Sequence, residues 1–116
     1  MAQGALVIRW GAPVRGREQA SLQAFGEAFE YYDDLLKNHR LTNHQPFICT
    51  ERNGGIWILS GELAQLDAIR REDEFVRLTT RAQLVVDDFE ISTCIGGSGE
   101  ALNGIMGMFG EEAERF

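Results

Sequence analysis

Two short apolar runs, Phe47-Ile48-Cys49 and Ile56-Trp57-Ile58-Leu59, flank the turn signal Asn53-Gly54-Gly55. Asn and Gly tolerate the positive φ of tight turns, so the stretch from His44 to Gly61 is predicted as a β-hairpin. Upstream, Ala5–Trp10 alternates, with Leu6, Ile8 and Trp10 on one face and Ala5, Val7 and Arg9 on the other, before Gly11-Ala-Pro13 stops the strand. From about Arg17 to Asn38 the apolar positions Leu22, Phe25, Phe29, Tyr32 and Leu36 recur at spacings of three and four, the stripe of a long helix. Gly26, between Phe25 and Phe29, marks a place where that helix approaches a sheet or leaves room for a ligand.

After the hairpin, Leu63, Leu66 and Ile69 form one helical face and Phe75, Leu78 and Ala82 another, out of phase with the first. The pattern predicts a bent or broken helix from about Glu62 to Arg81, with Asp73 as the cap of its second piece. Leu84-Val85-Val86 opens a long last strand running to about Ile95, in which Phe89, Ile91 and Thr93 alternate with Asp88, Glu90 and Ser92. The order βαββαβ is that of a ferredoxin-like α+β fold, a four-stranded antiparallel sheet with strands in the order 4-1-3-2. Beyond this core, about residues 4–95, the tail 97–116 places Leu102, Ile105, Met106 and Phe109 at helical spacing among Gly104, Gly107 and Gly110. Each interior glycine costs about 1 kcal/mol against alanine, so this C-terminal helix is expected to be ordered only where it docks.

At 116 residues the chain (residues 1–116) makes a single domain with one core. A net charge of −7, with one lysine and the arginines scattered, argues against nucleic acid and anionic membranes as partners. No run approaches the ~18 apolar residues of a membrane span, and the N-terminus lacks the pattern of a signal peptide, so the cytoplasm is the expected location. Cys49 and Cys94 fall on opposite edge strands of the expected sheet, beyond bridging reach, and read as free, small core residues. Strands apolar on both faces would leave one sheet face uncovered by the helices, which predicts a homodimer.

Candidate chemistry is sparse. Gly96-Gly-Ser-Gly99 lacks the ending of a phosphate-binding loop and reads as a flexible turn. His39, His44 and Cys49 fit no compact zinc spacing, so no metal and no cofactor is expected. Arg9 lies mid-strand in a strand expected to be central, where a buried charge needs a partner; Glu51 and Glu90 are the candidates. Alternatively, Arg9 holds an anionic ligand in a pocket walled by Trp10 and Trp57, with His44 at the start of the second strand nearby. Arg15 and Arg17, at the entry to the first helix, are read as solvated loop residues. No serine sits in a nucleophile elbow.

The element order, the chain length, the Trp10-Gly11 end of the first strand and the long last strand together resemble the dimeric α+β barrel superfamily over about residues 4–95. That group includes antibiotic-biosynthesis-type monooxygenases, muconolactone isomerase and YciI-like proteins. The stretch Ile8–Glu18, with Asp73-Glu-Phe75 and Arg81-Ala-Gln-Leu84, is similar to a small bacterial group within it. The resemblance implies two sheets packed face to face, with a cleft under the helices of each chain. No histidine lies in the middle of an expected strand, so the His–Asp pair of the YciI-like proteins finds no match and no catalytic residue is carried over. Two readings follow. The first is a dimer that binds a small molecule or protein partner without catalysis. The alternative is a cofactor-free monooxygenase-, isomerase- or cyclase-like enzyme acting on an aromatic or polyketide-like substrate in the cleft.

Overall fold

The computed structural model describes residues 2–116. Its elements are β1 (Gln3–Trp10), α1 (Glu18–Lys37), β2 (Asn43–Ile48), β3 (Gly55–Glu62), α2 (Leu63–Arg70), α3 (Asp73–Val85), β4 (Glu90–Ile95) and α4 (Gly99–Ala113). The four strands pair antiparallel in the order β2-β3-β1-β4, which is the ferredoxin-like order expected from the sequence. Among the described residues, no helix is long and apolar enough to cross a membrane.

Alternation along the strands decides where the core sits. Leu6, Ile8, Trp57 and Leu59 project from β1 and β3 toward the helices and are buried. Tyr32 and Leu35 of α1, Leu66 and Ile69 of α2 and Phe75 of α3 close over them. Leu6, Leu59, Leu66 and Ile69 are fully buried, and each contributes about 1.5–3 kcal/mol by leaving water. The opposite face of the sheet, with Val7, Ile56 and Ile58 at its centre, carries no helix and stays half-exposed.

The break between α2 and α3 falls where the two apolar faces lose phase. Arg40, just after α1, pins it from outside: its guanidinium meets Glu72 at 2.7 Å and donates to Gln65 Oε1 at 3.0 Å. Glu72, not Asp73, occupies the cap position; its side chain makes no capping bond and instead accepts from Arg40. A further correction concerns Leu84-Val85-Val86. The stripe Phe75, Leu78, Ala82 continues at helical spacing to Val85, so α3 absorbs the expected start of the last strand, which begins only at Glu90. Asp88, at a positive φ of 54°, turns the chain between them.

The hairpin joins β2 and β3 as expected, but through a longer loop. Ile48 pairs with Gly55, Cys49 N–H donates to Gly54 at 3.0 Å, and only Gly54 in the Asn53-Gly54-Gly55 signal has positive φ, at 112°. Gly26 is exposed, with nothing near its missing side chain, so it makes no close approach to the sheet. Cys49 and Cys94 are free; Cys94 is exposed on β4 rather than in the core, because it pairs with Ala5 on the uncovered face. Gly96 and Gly97, both at positive φ, make the turn into α4, and Ser98 caps that helix by accepting from Ala101 N–H at 3.2 Å. No residue of α4 is buried, and Gly104, Gly107 and Gly110 face no other part of the chain.

Candidate functional site

A cavity of about 450 Å³ lies between the covered face of the sheet and helices α1 and α3. Trp10 and Trp57 line it from the strands, Phe25 and Tyr32 from α1, Leu78 and Thr79 from α3. The rings form one aromatic wall: Phe25 lies 4.7 Å from Trp57, Tyr32 meets Trp57 edge-on at 4.9 Å, and Trp10 meets Phe25 edge-on at 6.1 Å. Such arrangements add about 0.5–1.5 kcal/mol per pair beyond area burial and hold the rings in place.

Local backbone explains why Trp10 stands where it does. Its indole lies over Gly55, where a Cβ would come within 2.7 Å of the ring, so only glycine admits it. Just beyond Trp10, Gly11 N–H donates to Asp87 at 2.7 Å and Val14 N–H to Val85 at 2.8 Å. This strap closes one end of the cavity, with Val86 and Phe89 as its lining. Arg17 reinforces the same end by donating to the Leu84 carbonyl at 2.8 Å, a fastening role for a residue that the sequence left to solvent. The rim is formed by the exposed Leu22 and Ile48, together with Arg52 and Asn53 of the hairpin loop.

Polar chemistry inside is limited. Among the described residues no carboxylate, imidazole or ammonium lines the cavity. The Thr79 hydroxyl donates to the Val76 carbonyl at 3.2 Å. Burial pushes the Tyr32 phenol well above its ordinary range, so it remains neutral and protonated. The site is therefore an apolar, aromatic pocket whose strongest hydrogen-bonding groups, Arg52 and Asn53, stand at its rim, an arrangement suited to flat molecules.

Behind Trp57, outside the cavity lining, stands His44. Its Nδ1 accepts from the Trp57 indole N–H at 3.2 Å, and its Nε2 lies 3.6 Å from Asp33 Oδ1. Asp33 also meets Lys37 at 3.1 Å, one turn along α1, and this contact holds its carboxyl below the usual range. No His–Asp pair is apparent in the sequence; α1 packing over β2 brings Asp33 and His44 together across the chain. The only sequence signal for Asp33 was the Asp33–Lys37 spacing along the helix.

Of the residues singled out from sequence, Trp10 and Trp57 share the cavity and His44 backs it. Arg9 and Glu90 do not join them. They face each other at 3.7 Å on the uncovered side of the sheet, with side chains 49% and 62% exposed, because strand alternation sends Arg9 away from Ile8 and Trp10. The expectation of a buried Arg9 is thus corrected. Glu51 is exposed in the hairpin loop, apart from both. Sequence reasoning placed Phe25 and Tyr32 in the helix stripe but gave them only a core role. Among the described residues, no group of three or more metal-ligating side chains converges.

No protein-family model and no curated protein sequence matches the chain. Solved structures do. One is SnoaB, a cofactor-independent oxygenase from Streptomyces nogalater, similar at a TM-score of 0.62 and 12% identity over 84% of this chain and 96% of that one. Another is a dimeric ferredoxin-like protein of unknown function from Jannaschia sp. CCS1, also at 0.62 and 12% identity, over 83% of this chain and 99% of that one. At such identity the likeness is one of fold: an α+β domain of ferredoxin-like architecture.

Proposed function

We propose that this protein binds a flat, largely apolar small molecule in the cavity beneath α1 and α3, and does so without converting it. The observation that carries this reading is the aromatic wall of Trp10, Phe25, Tyr32 and Trp57 around about 450 Å³ that no proton-transferring carboxylate or imidazole lines. Native mass spectrometry of the purified protein, followed by a tryptophan-fluorescence titration with naphthalene, tests it. Saturable binding that Trp10→Ala weakens about tenfold supports the reading, since an aromatic pair contributes up to about 1.5 kcal/mol beyond its buried area. Naphthalene without effect on Trp10 or Trp57 and no retained ligand overturn it.

The alternative is a cofactor-free monooxygenase-, isomerase- or cyclase-like enzyme acting on an aromatic or polyketide-like substrate. Its support is the fold shared with the cofactor-independent oxygenase and the aromatic lining of this chain's own cavity. Oxygen uptake or a new product on adding a naphthol to the protein alone would favour this reading over simple binding.

We also infer a cytoplasmic homodimer in which the uncovered sheet faces of two copies meet. Val7, Ile56 and Ile58 supply an apolar centre, Phe47 is 53% exposed beside them, and Arg9 and Glu90 provide charges of both signs at one end. A two-fold contact makes such a face self-complementary, with Arg9 of each copy near Glu90 of the other. That the ferredoxin-like neighbour is dimeric supports self-association of this chain. α4 leaves the end of β4 beside this face: the Gly96–Ser98 turn borders a groove that Ala5, Ile58 and Cys94 floor. An apolar helix so placed reaches a second copy more readily than its own core.

A further inference from the structure

We propose that His44 is a positioning residue for the cavity: it holds the Trp57 indole N–H behind the wall, so that the site meets its ligand with the face of the ring. The inference rests on the cavity being the binding site and adds which residue sets its character. An indole N–H is a donor only, so the His44 Nδ1 that accepts it at 3.2 Å carries no proton. A neutral imidazole then has its proton on Nε2, the nitrogen that lies 3.6 Å from the Asp33 carboxylate. Asp33 thereby selects the tautomer that Trp57 requires, and Lys37 at 3.1 Å keeps Asp33 charged for the task.

The ring of His44 is itself confined. Its side chain is 4% exposed, Phe29 packs edge-on at 5.1 Å and Tyr32 lies at 6.2 Å, so it has no room to turn away from the indole. On the cavity side, Trp57 is framed by Phe25 at 4.7 Å and Tyr32 at 4.9 Å. With the N–H engaged on the far side, the indole offers the cavity a π surface and no donor. A buried N–H left without an acceptor seeks another partner, and the ring tilts with it. A stacking surface tilted in this way no longer fits a flat ligand. A histidine serving only as filler between α1 and β2 predicts none of these linked features.

The test compares His44→Leu, which fills the space without an acceptor, with His44→Gln, whose side-chain oxygen restores one. Side-chain nitrogen NMR of the unaltered protein should show His44 protonated on Nε2 and a slowly exchanging Trp57 indole N–H. In His44→Leu that N–H should exchange about a hundredfold faster and naphthalene should bind about tenfold more weakly, the scale of one buried hydrogen bond lost. His44→Gln should recover most of both. A proton on Nδ1 in the unaltered protein overturns the proposal, and this reading stands even if His44→Leu fails to fold. Equal protection and equal affinity in His44→Leu overturn it as well. If naphthalene fails to bind the unaltered protein, the cavity reading falls, while tautomer and indole exchange still decide the role of His44.

Discussion

The two faces of the sheet are built from the same strands yet carry opposite fates. Trp57 and Ile58 are neighbours on β3; the first is 3% exposed beneath α1 and the second is half-exposed on the bare side. The covered face is large, aromatic and closed by three helices. The bare face is small and aliphatic at its centre, with Arg9, Gln45 and Glu90 toward its margins. Alternation with period two sorts the residues into two sets, and the packing of α1, α2 and α3 on one of them decides which set is buried. The lesson is that one face is finished within the chain and the other is left open to whatever meets it.

The largest expected difference comes from shortening one residue on each face. Trp57→Ala removes an indole in contact with Phe25, Tyr32 and His44 and should cost about 3–5 kcal/mol in urea denaturation. Ile58→Ala, one residue along, should cost about 1 kcal/mol or less at low protein concentration. A cost for Ile58→Ala that grows with concentration marks the bare face as covered by a second copy. Equal costs at every concentration would erase the distinction between the faces.

A second experiment sharpens the contrast at its edge. Leu102, Met106 and Phe109 on α4 are more than half exposed, and no residue of the helix is buried. Isolated helices of this length are marginal, more so with interior glycines. Ending the chain after Ile95 should leave the melting of the core unchanged and weaken self-association about tenfold or more by sedimentation, a loss of about 1.4 kcal/mol. An unchanged association constant, with α4 amides unprotected from hydrogen exchange in the full chain, refutes docking of the helix on a second copy.

How much of this was legible in the sequence follows from the range of each signal. Leu6, Ile8 and Trp10 alternate within one strand, and Leu66, Ile69, Phe75 and Leu78 keep helical spacing, so element type, strand order and the broken helix were readable. Arg9 was misplaced because a central strand was equated with burial, although its parity put it opposite Trp10. Val85 was misassigned because a β-branched run outweighed a helical stripe that it continues. The site itself was half legible: Trp10 and Trp57 were named, but the Asp33–His44–Trp57 chain joins three elements across the fold. No local pattern encodes such a meeting.

A smaller effect is expected from the charge pair on the bare face. Arg9 and Glu90 at 3.7 Å are both more than one-third exposed, so a double-mutant cycle with Arg9→Ala and Glu90→Ala should give about 0–1 kcal/mol in the monomer. A coupling that appears only at concentrations where two copies associate would place the pair in the contact between them. A coupling of several kcal/mol in the monomer would mean that the pair is shielded within a single chain, contrary to its exposure.

The smallest effect belongs to the rim of the covered face, where Asp33 and Lys37 meet at 3.1 Å. The hydrogen bond from Lys37 is the main cause lowering the Asp33 carboxyl below its ordinary 3.8, with the bond to His44 adding to it. A carboxyl lowered by folding contributes stability that is present above its unfolded value and lost as pH falls through the lowered one. Lys37, raised above 10.5 mainly by its hydrogen bond with Asp33, contributes stability that is present below that value and lost as pH rises through the raised one. Asp33→Asn keeps an oxygen for His44 Nε2 while removing the charge that Lys37 uses. The difference in urea midpoint between the two proteins should therefore be level around neutrality, shrink below about pH 3.8 and shrink again above about pH 10.5. Because Lys37 is 72% exposed, water and salt weaken the pair, and added salt should flatten both limbs. A difference independent of pH would assign the whole effect of Asp33 to its contact with His44 at 3.6 Å, moving it from the solvent-facing rim to the wall behind Trp57.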